Sequence, residues 1–245
     1  AAASDVYKRQ ATLIDATAIN PRCIRLGPNP TLFYLDTSSS PYLLKNIQVD
    51  INNPIAFNSS NTIVSTVNAT NPTYDIAINS ADADAGNAVF AYNSSTSTTL
   101  GVGYVTTDGV VGGPSNGFPA VVTVGSTNSN DLITIYTDQV NTDPTDSERI
   151  YVAYSSRTAS QGLKIKRFKG VLTVEATHTV EGSATKISGA SIIVTQAGDL
   201  QIVYTMSATN TYDYQVKGAV YDVSADTMGS TAIIKRSVGL ASKLW

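Results

Sequence analysis

The sequence predicts an all-β chain of the β-propeller class: about four four-stranded antiparallel blades that form part of a larger ring. Three observations predict it. First, a tyrosine-bearing apolar segment recurs four times, as TLFYLD (Thr31 to Asp36), AVFAYNS (Ala88 to Ser94), RIYVAYSS (Arg149 to Ser156) and LQIVYTMS (Leu200 to Ser207). Aligned on Tyr34, Tyr92, Tyr154 and Tyr204, the copies stand 58, 62 and 50 residues apart by subtraction, a period that suits propeller blades. Second, apolar positions alternate with period two, as in Leu163-Lys-Ile-Lys-Arg-Phe, and no window carries a helical stripe. Third, only 14% of residues are charged, against roughly 25% in a typical soluble domain. Ser, Thr and Asn supply the polar surface instead, which suits strands and turns and not exposed helices.

Each tyrosine segment reads as the second strand of its blade. The first strands are CIRL from Cys23, DIAI from Asp75, LITIY from Leu132 and SIIV from Ser191. The third strands are LLKNIQVD from Leu43, LGVGYVTT from Leu100, LKIKRF from Leu163 and YQVKGAVYD from Tyr214. The fourth are NTIVSTV from Asn61, AVVTV from Ala120, LTVEATHTV from Leu172 and TAIIKRSV from Thr231. Breakers fall between them, among them Gly27-Pro, Asp108-Gly, Asp143-Pro and Ala197-Gly-Asp. The propeller is expected over 12–245, with blades at about 21–69, 70–126, 127–182 and 183–240. Residues 12–20, TLIDATAIN, are left over and read as the outer strand of a preceding blade, so the ring is expected to hold roughly six to eight blades. An open ring would expose the flat faces of its end blades, and the chain is expected to oligomerise unless the ring closes.

At 245 residues and 25.8 kDa the chain is long enough for one large all-β domain. A net charge of -3 and a pI near 5.0 give no basic footprint for nucleic acid or an anionic membrane. No run of about 18 apolar residues occurs, so no membrane insertion is expected. Cys23 is the single cysteine, which excludes an intrachain disulfide and a thiolate metal cluster; it reads as a buried apolar thiol. The first residues, AAASDVYKRQ, resemble a translated sequencing-adapter remnant, so 1–11 are expected to be non-native or disordered and the chain a fragment.

The blade pattern resembles propellers of the sialidase and BNR-repeat type, and propeller modules of bacteriophage tail proteins. The motif nearest to the sialidase Asp-box S-x-D-x-G-x-x-W is Thr107-Asp108-Gly109, which lacks the aromatic partner; Trp245 is the single tryptophan and stands at the end. No family active-site residue is carried onto this chain.

Strand order assigns side chains to the two ends of a propeller. The loops after second and fourth strands share one end, and Asp36, Asp75, Asp131, Asp213 and Glu181 fall there; most other carboxylates go to the opposite end. On the less acidic end, Tyr42, Arg157, Tyr212 and Tyr214 stand among hydroxyl-rich loops and are the candidate binding residues for a sugar or a protein loop. Short polar loops are also what any soluble surface carries. On the acidic end, Asp82-Ala-Asp84-Ala-Gly86 has the spacing by which alternate oxygens surround calcium, without the downstream Glu that completes such a loop. Asp82 and Asp84 are thus the candidate metal ligands, set against a plain solvated turn, and no other cofactor is expected. His178, the single histidine, sits in an alternating outer strand and reads as structural.

Catalysis finds little support in this pattern, since glycoside hydrolysis needs paired carboxylates over a sugar and the arginines are scattered. The first expectation is a non-catalytic propeller of a viral structural protein, phage tail or receptor-binding. It would bind a glycan, a protein receptor or another virion protein, on a virion or outside the cell. Its alternatives are a sialidase-like glycan-active enzyme fragment, and a bacterial surface adhesin or binding propeller.

Overall fold

A computed structural model describes residues 15–27, 29–49, 59–78, 87–95, 99–112, 121–125, 132–137, 149–155, 161–170, 172–182, 186–207 and 213–238. Every regular element among them is a strand, and the strands form four antiparallel sheets of a β-propeller. The first sheet is β1 (Ala18–Leu26), β2 (Asn29–Asp36), β3 (Tyr42–Gln48) and β4 (Asn61–Val67). The second is β5 (Tyr74–Ile78), β6 (Ala88–Asn93), β7 (Thr99–Val105) and β8 (Val121–Gly125). The third is β9 (Leu132–Thr137), β10 (Arg149–Ser155), β11 (Leu163–Lys169) and β12 (Val174–Glu181). The fourth is β13 (Lys186–Val194), β14 (Leu200–Ser207) and β15 (Asp213–Asp222), with its outer position shared by β16 (Thr227–Met228) and β17 (Ala232–Val238). Met228 pairs with Tyr221 and Ala232 with Gly218, so β16 and β17 are one outer strand interrupted at 229–231.

The alternation read from the sequence gives each sheet two apolar faces, and these close three cores between successive sheets. Phe33, Leu35 and Leu44 of the first sheet meet Tyr74, Ile76, Phe90 and Tyr92 of the second. Val89, Leu100 and Val102 meet Ile133, Ile150, Val152 and Tyr154 of the third. Tyr151, Leu163 and Ile165 meet Leu200, Ile202, Tyr204 and Tyr221 of the fourth. A middle sheet is therefore covered on both sides, and every residue of β6 is buried. The fourth sheet is covered on one, so β14 buries Leu200, Ile202, Tyr204 and Met206, while Ile193, Val220 and Ile234 stay exposed.

The repeated tyrosines are fasteners between sheets. The Tyr92 hydroxyl lies 3.2 Å from Thr66 Oγ1, and Tyr204 donates to Glu181 Oε2 at 2.6 Å. In both cases the partner stands on the outermost strand of the preceding sheet. The Tyr92 ring crosses Gly101 so closely that a Cβ there would fall 2.0 Å from Cε1, which explains glycine at that position. The Asp-box-like turn is also a fastener: Asn46 Nδ2 donates to Gly109 O at 2.8 Å and Gln48 Nε2 to Thr107 O at 2.5 Å. It docks the second sheet on the first.

Two expectations change here. Residues 18–20 do not close a preceding blade: Ala18 and Ile19 pair with Asp36 and Leu35, and so open β1 itself, while 12–14 lie outside the described residues. The Asn20-Pro21 breaker is absorbed as a bulge in which these two residues oppose Tyr34 alone, with Asn20 at a φ of 52°. Cys23 is exposed and not buried: β1 presents most of its residues to solvent, and Cys23 pairs with Leu32, not with Phe33 or Leu35, the residues of β2 in the core toward the second sheet. Among the described residues, no helix is long and apolar enough to cross a membrane.

Candidate functional site

The first strands of successive sheets touch one another, β1 with β5, β5 with β9 and β9 with β13. They are the innermost strands of the propeller, so polar side chains on them meet near its axis. Tyr74 and Ile76 of β5 pack toward the first sheet. Alternation then turns Asp75, between them, toward the third. Its Oδ2 accepts the backbone N–H of Ile135 at 3.1 Å, and its Oδ1 lies 3.9 Å from the Arg22 guanidinium on β1. Three innermost strands thus converge on one carboxyl group, at the end of the propeller that also carries Asp36 and Glu181.

The Asp75 side chain is 16% exposed and that of Arg22 58%. Burial raises the pKa of Asp75 above the ordinary carboxylate range, and Arg22 and the N–H groups of Ile135 and Ile76 offset only part of that rise. Burial and the Arg22 cation thus pull the proton affinity of Asp75 in opposite directions, burial prevailing, and a raised carboxyl pKa is one property a general acid needs.

A second polar cluster fastens the outer strands of the third and fourth sheets. Arg167 of β11 donates to the Tyr221 hydroxyl at 2.9 Å and to Asp226 Oδ2 at 3.1 Å, and its Nε lies 3.0 Å from Glu175 Oε2. His178 Nε2 lies 2.9 Å from Asp226 Oδ1, and the Tyr221 hydroxyl donates to the same oxygen. Every charge here is met by another, so the histidine is accounted for as a structural group. Nearby, at the end of the propeller opposite Asp75, Arg149, Gly198, Asp199, Asp222, Val223 and Ser224 line an open cavity of about 390 Å³.

Of the binding residues expected from sequence, Tyr42 is half-buried against the core of the first junction and pairs with Val67. Tyr214 pairs through its backbone with Ser207. Arg157, Tyr212, Asp82 and Asp84 lie outside the described residues, and no group of three or more metal-ligating side chains occurs among the described ones. Sequence reasoning placed Asp75 on the correct end and passed over it. The available signal was a charged residue inside two consecutive innermost strands, Arg22 and then Asp75.

No protein-family model matches the chain, and no curated protein matches it. Solved structures do. The GH93 α-L-arabinofuranosidase of Fusarium graminearum in complex with arabinobiose superposes with a TM-score of 0.52 at 10% identity, over 89% of this chain and 66% of that one. The Penicillium chrysogenum α-L-arabinanase complexed with arabinobiose gives 0.50 at 12% identity over the same shares. This chain therefore spans just under two thirds of either protein, and the likeness establishes the β-propeller fold. It also corrects the first functional expectation. The matched propellers are glycosidases by name, not sialidase-type repeats or phage tail modules, and the non-catalytic viral reading is set aside.

Proposed function

We propose that the chain is a glycan-active propeller that cleaves glycosidic bonds at the axis end marked by Asp75. The observation that carries this reading is the desolvated Asp75 carboxyl, held between β1, β5 and β9 with its pKa raised. In this reaction Asp75 protonates the leaving glycosidic oxygen as the bond breaks, and Arg22 donates hydrogen bonds to sugar hydroxyls. Such chemistry also requires a second carboxylate, about 5 to 10 Å from the first, to activate the attacking water or to attack the sugar itself; Asp131, the sequence candidate for the same end, lies outside the described residues. Arabinose-containing oligosaccharides are the substrate class to try first, because both matched propellers are arabinose-releasing or arabinan-cleaving enzymes by name and hold arabinobiose.

The test is release of free sugar from arabinobiose and longer arabinan fragments, measured by chromatography. Turnover should be saturable, and Asp75→Asn should lower it by about 10²–10⁴-fold with an unchanged circular dichroism spectrum. Full turnover in Asp75→Asn would remove Asp75 from the chemistry. Absence of turnover on arabinan and galactan fragments alike would sink the reading.

A further inference from the structure

The bulge in β1 is where the arginine of the proposed site is aimed. Ile19 pairs with Leu35 and Arg22 with Phe33, so Asn20 and Pro21 together oppose Tyr34. Such a two-against-one bulge bends its strand and redirects the side chain that follows, here Arg22. Two features leave it in need of support: Asn20 sits at a φ of 52°, a region that asparagine tolerates better than most residues but still at some cost, and Pro21 has no N–H to give to the ladder. Something outside the strand must hold it.

That holder comes from the second sheet. The Tyr74 hydroxyl lies 2.7 Å from Asn20 O and 2.9 Å from Phe33 O, one carbonyl on each strand of the bulge. Its single proton is shared between them and supplies a donor where the proline offers none. The ring is buried in the core of the first junction, so the hydroxyl is fixed in place. Tyr74 is also the chain neighbour of Asp75. One residue thus carries the acid, and its neighbour clamps the bulge that carries the acid's cation.

We propose that Tyr74 is a positioning residue that sets the proton affinity of Asp75 by holding Arg22 beside it. Among the described residues, the groups that face Asp75 are Arg22 from β1, the backbone N–H of Ile76 from its own strand, and the N–H of Ile135 and the hydroxyl of Thr134 from β9. Of these Arg22 alone is charged and mounted on the bulge. With the Tyr74 hydroxyl removed the bulge relaxes, Arg22 leaves, and Asp75 holds its proton to higher pH. The site concerned is the one proposed above, but the measurement does not require turnover.

The experiment follows the Asp75 side-chain carboxyl by carbon NMR through a pH titration of the full chain. Arg22→Gln should raise the midpoint by about 0.5–1 pH unit, the partly exposed guanidinium being screened. Tyr74→Phe should raise it in the same direction, and the double variant should shift no further than Arg22→Gln alone, because both act through one contact. Tyr92→Phe removes another hydroxyl from the same junction, at 3.2 Å from Thr66, and should leave the midpoint where it was. Tyr74→Phe with a wild-type midpoint, additive shifts in the double variant, or an equal shift in Tyr92→Phe would each overturn the proposal. A chain that shows the expected shifts yet hydrolyses no glycan would keep this inference and lose the enzymatic one.

Discussion

The innermost strands of the first three sheets and the outer junction of the last two both hold carboxylates between sheets, and they treat them in opposite ways. Asp75, on the inner strands, has one cation for company, 3.9 Å away and mostly solvated, and burial prevails: its pKa rises. At the outer junction burial pushes Asp226 and Glu181 upward too. There Tyr221, His178 and Arg167 outweigh it for Asp226, and Lys217 and Tyr204 for Glu181, so both are held below the ordinary range. The number of close, well-directed partners decides whether a carboxyl fastens sheets or carries a movable proton.

The comparison breaks most visibly at Arg167, whose side chain is 11% exposed and serves Glu175, Asp226 and Tyr221 at once. Arg167→Met keeps the aliphatic stem but takes one partner from Glu175, which retains Arg149 and Lys169, and one from Asp226, which retains His178 and Tyr221, a loss of about 2 kcal/mol and of about 4–8 °C in Tm for a chain of this size. Differential scanning calorimetry measures it. The Asp75 titration should not move, and a shift there would show that the two regions are coupled.

Acid separates the regions next. Asp226 and Glu181 have lowered pKa values, so their contribution to stability is complete above the ordinary carboxylate pKa of about 4 and is lost as pH falls through the folded-state value. Asp75 has the opposite sign: its contribution is complete below that ordinary value and is lost as pH rises through its raised one. Hydrogen exchange between pH 6 and 3, corrected for intrinsic rates, should show β15 losing protection before β5 does. Equal loss in both strands would contradict the assignment.

Much of the fold was legible because it is written in short-range patterns. Period-two alternation placed the strands, and Tyr92, Tyr154 and Tyr204 marked equivalent positions that all turn toward the preceding sheet. The site was less legible because its members are distant in sequence. Asp75 receives its backbone hydrogen bond from a residue 60 positions away, and Arg167 reaches Asp226 across 59. No local spacing rule joins them. The boundary read at residue 20 falls inside β1, because the bulge at Asn20 and Pro21 that carries the strand through leaves no local pattern and the hydroxyl that secures it belongs to another sheet.

The repeated tyrosines give the smallest effects and the finest grading of the same idea. Tyr204 donates to a carboxylate, and Tyr204→Phe should cost about 2 kcal/mol, as hydrogen bonds to charged groups do. Tyr92 meets a neutral hydroxyl at 3.2 Å, and Tyr92→Phe should cost about 1 kcal/mol. Tyr154 makes no hydrogen bond among the described residues; burial pushes its hydroxyl up to about 12, and Lys166 Nζ stands 5.9 Å from its ring centroid. Tyr154→Phe removes a hydroxyl that fastens to no described residue and keeps the ring that packs, so its stability should stay within about 0.5 kcal/mol of the parent. Urea midpoints at constant slope measure all three. Equal costs would mean that the rings hold the blades together and the hydroxyls merely accompany them; a graded series would show that the strength of the acceptor on the preceding sheet sets how firmly each blade is joined.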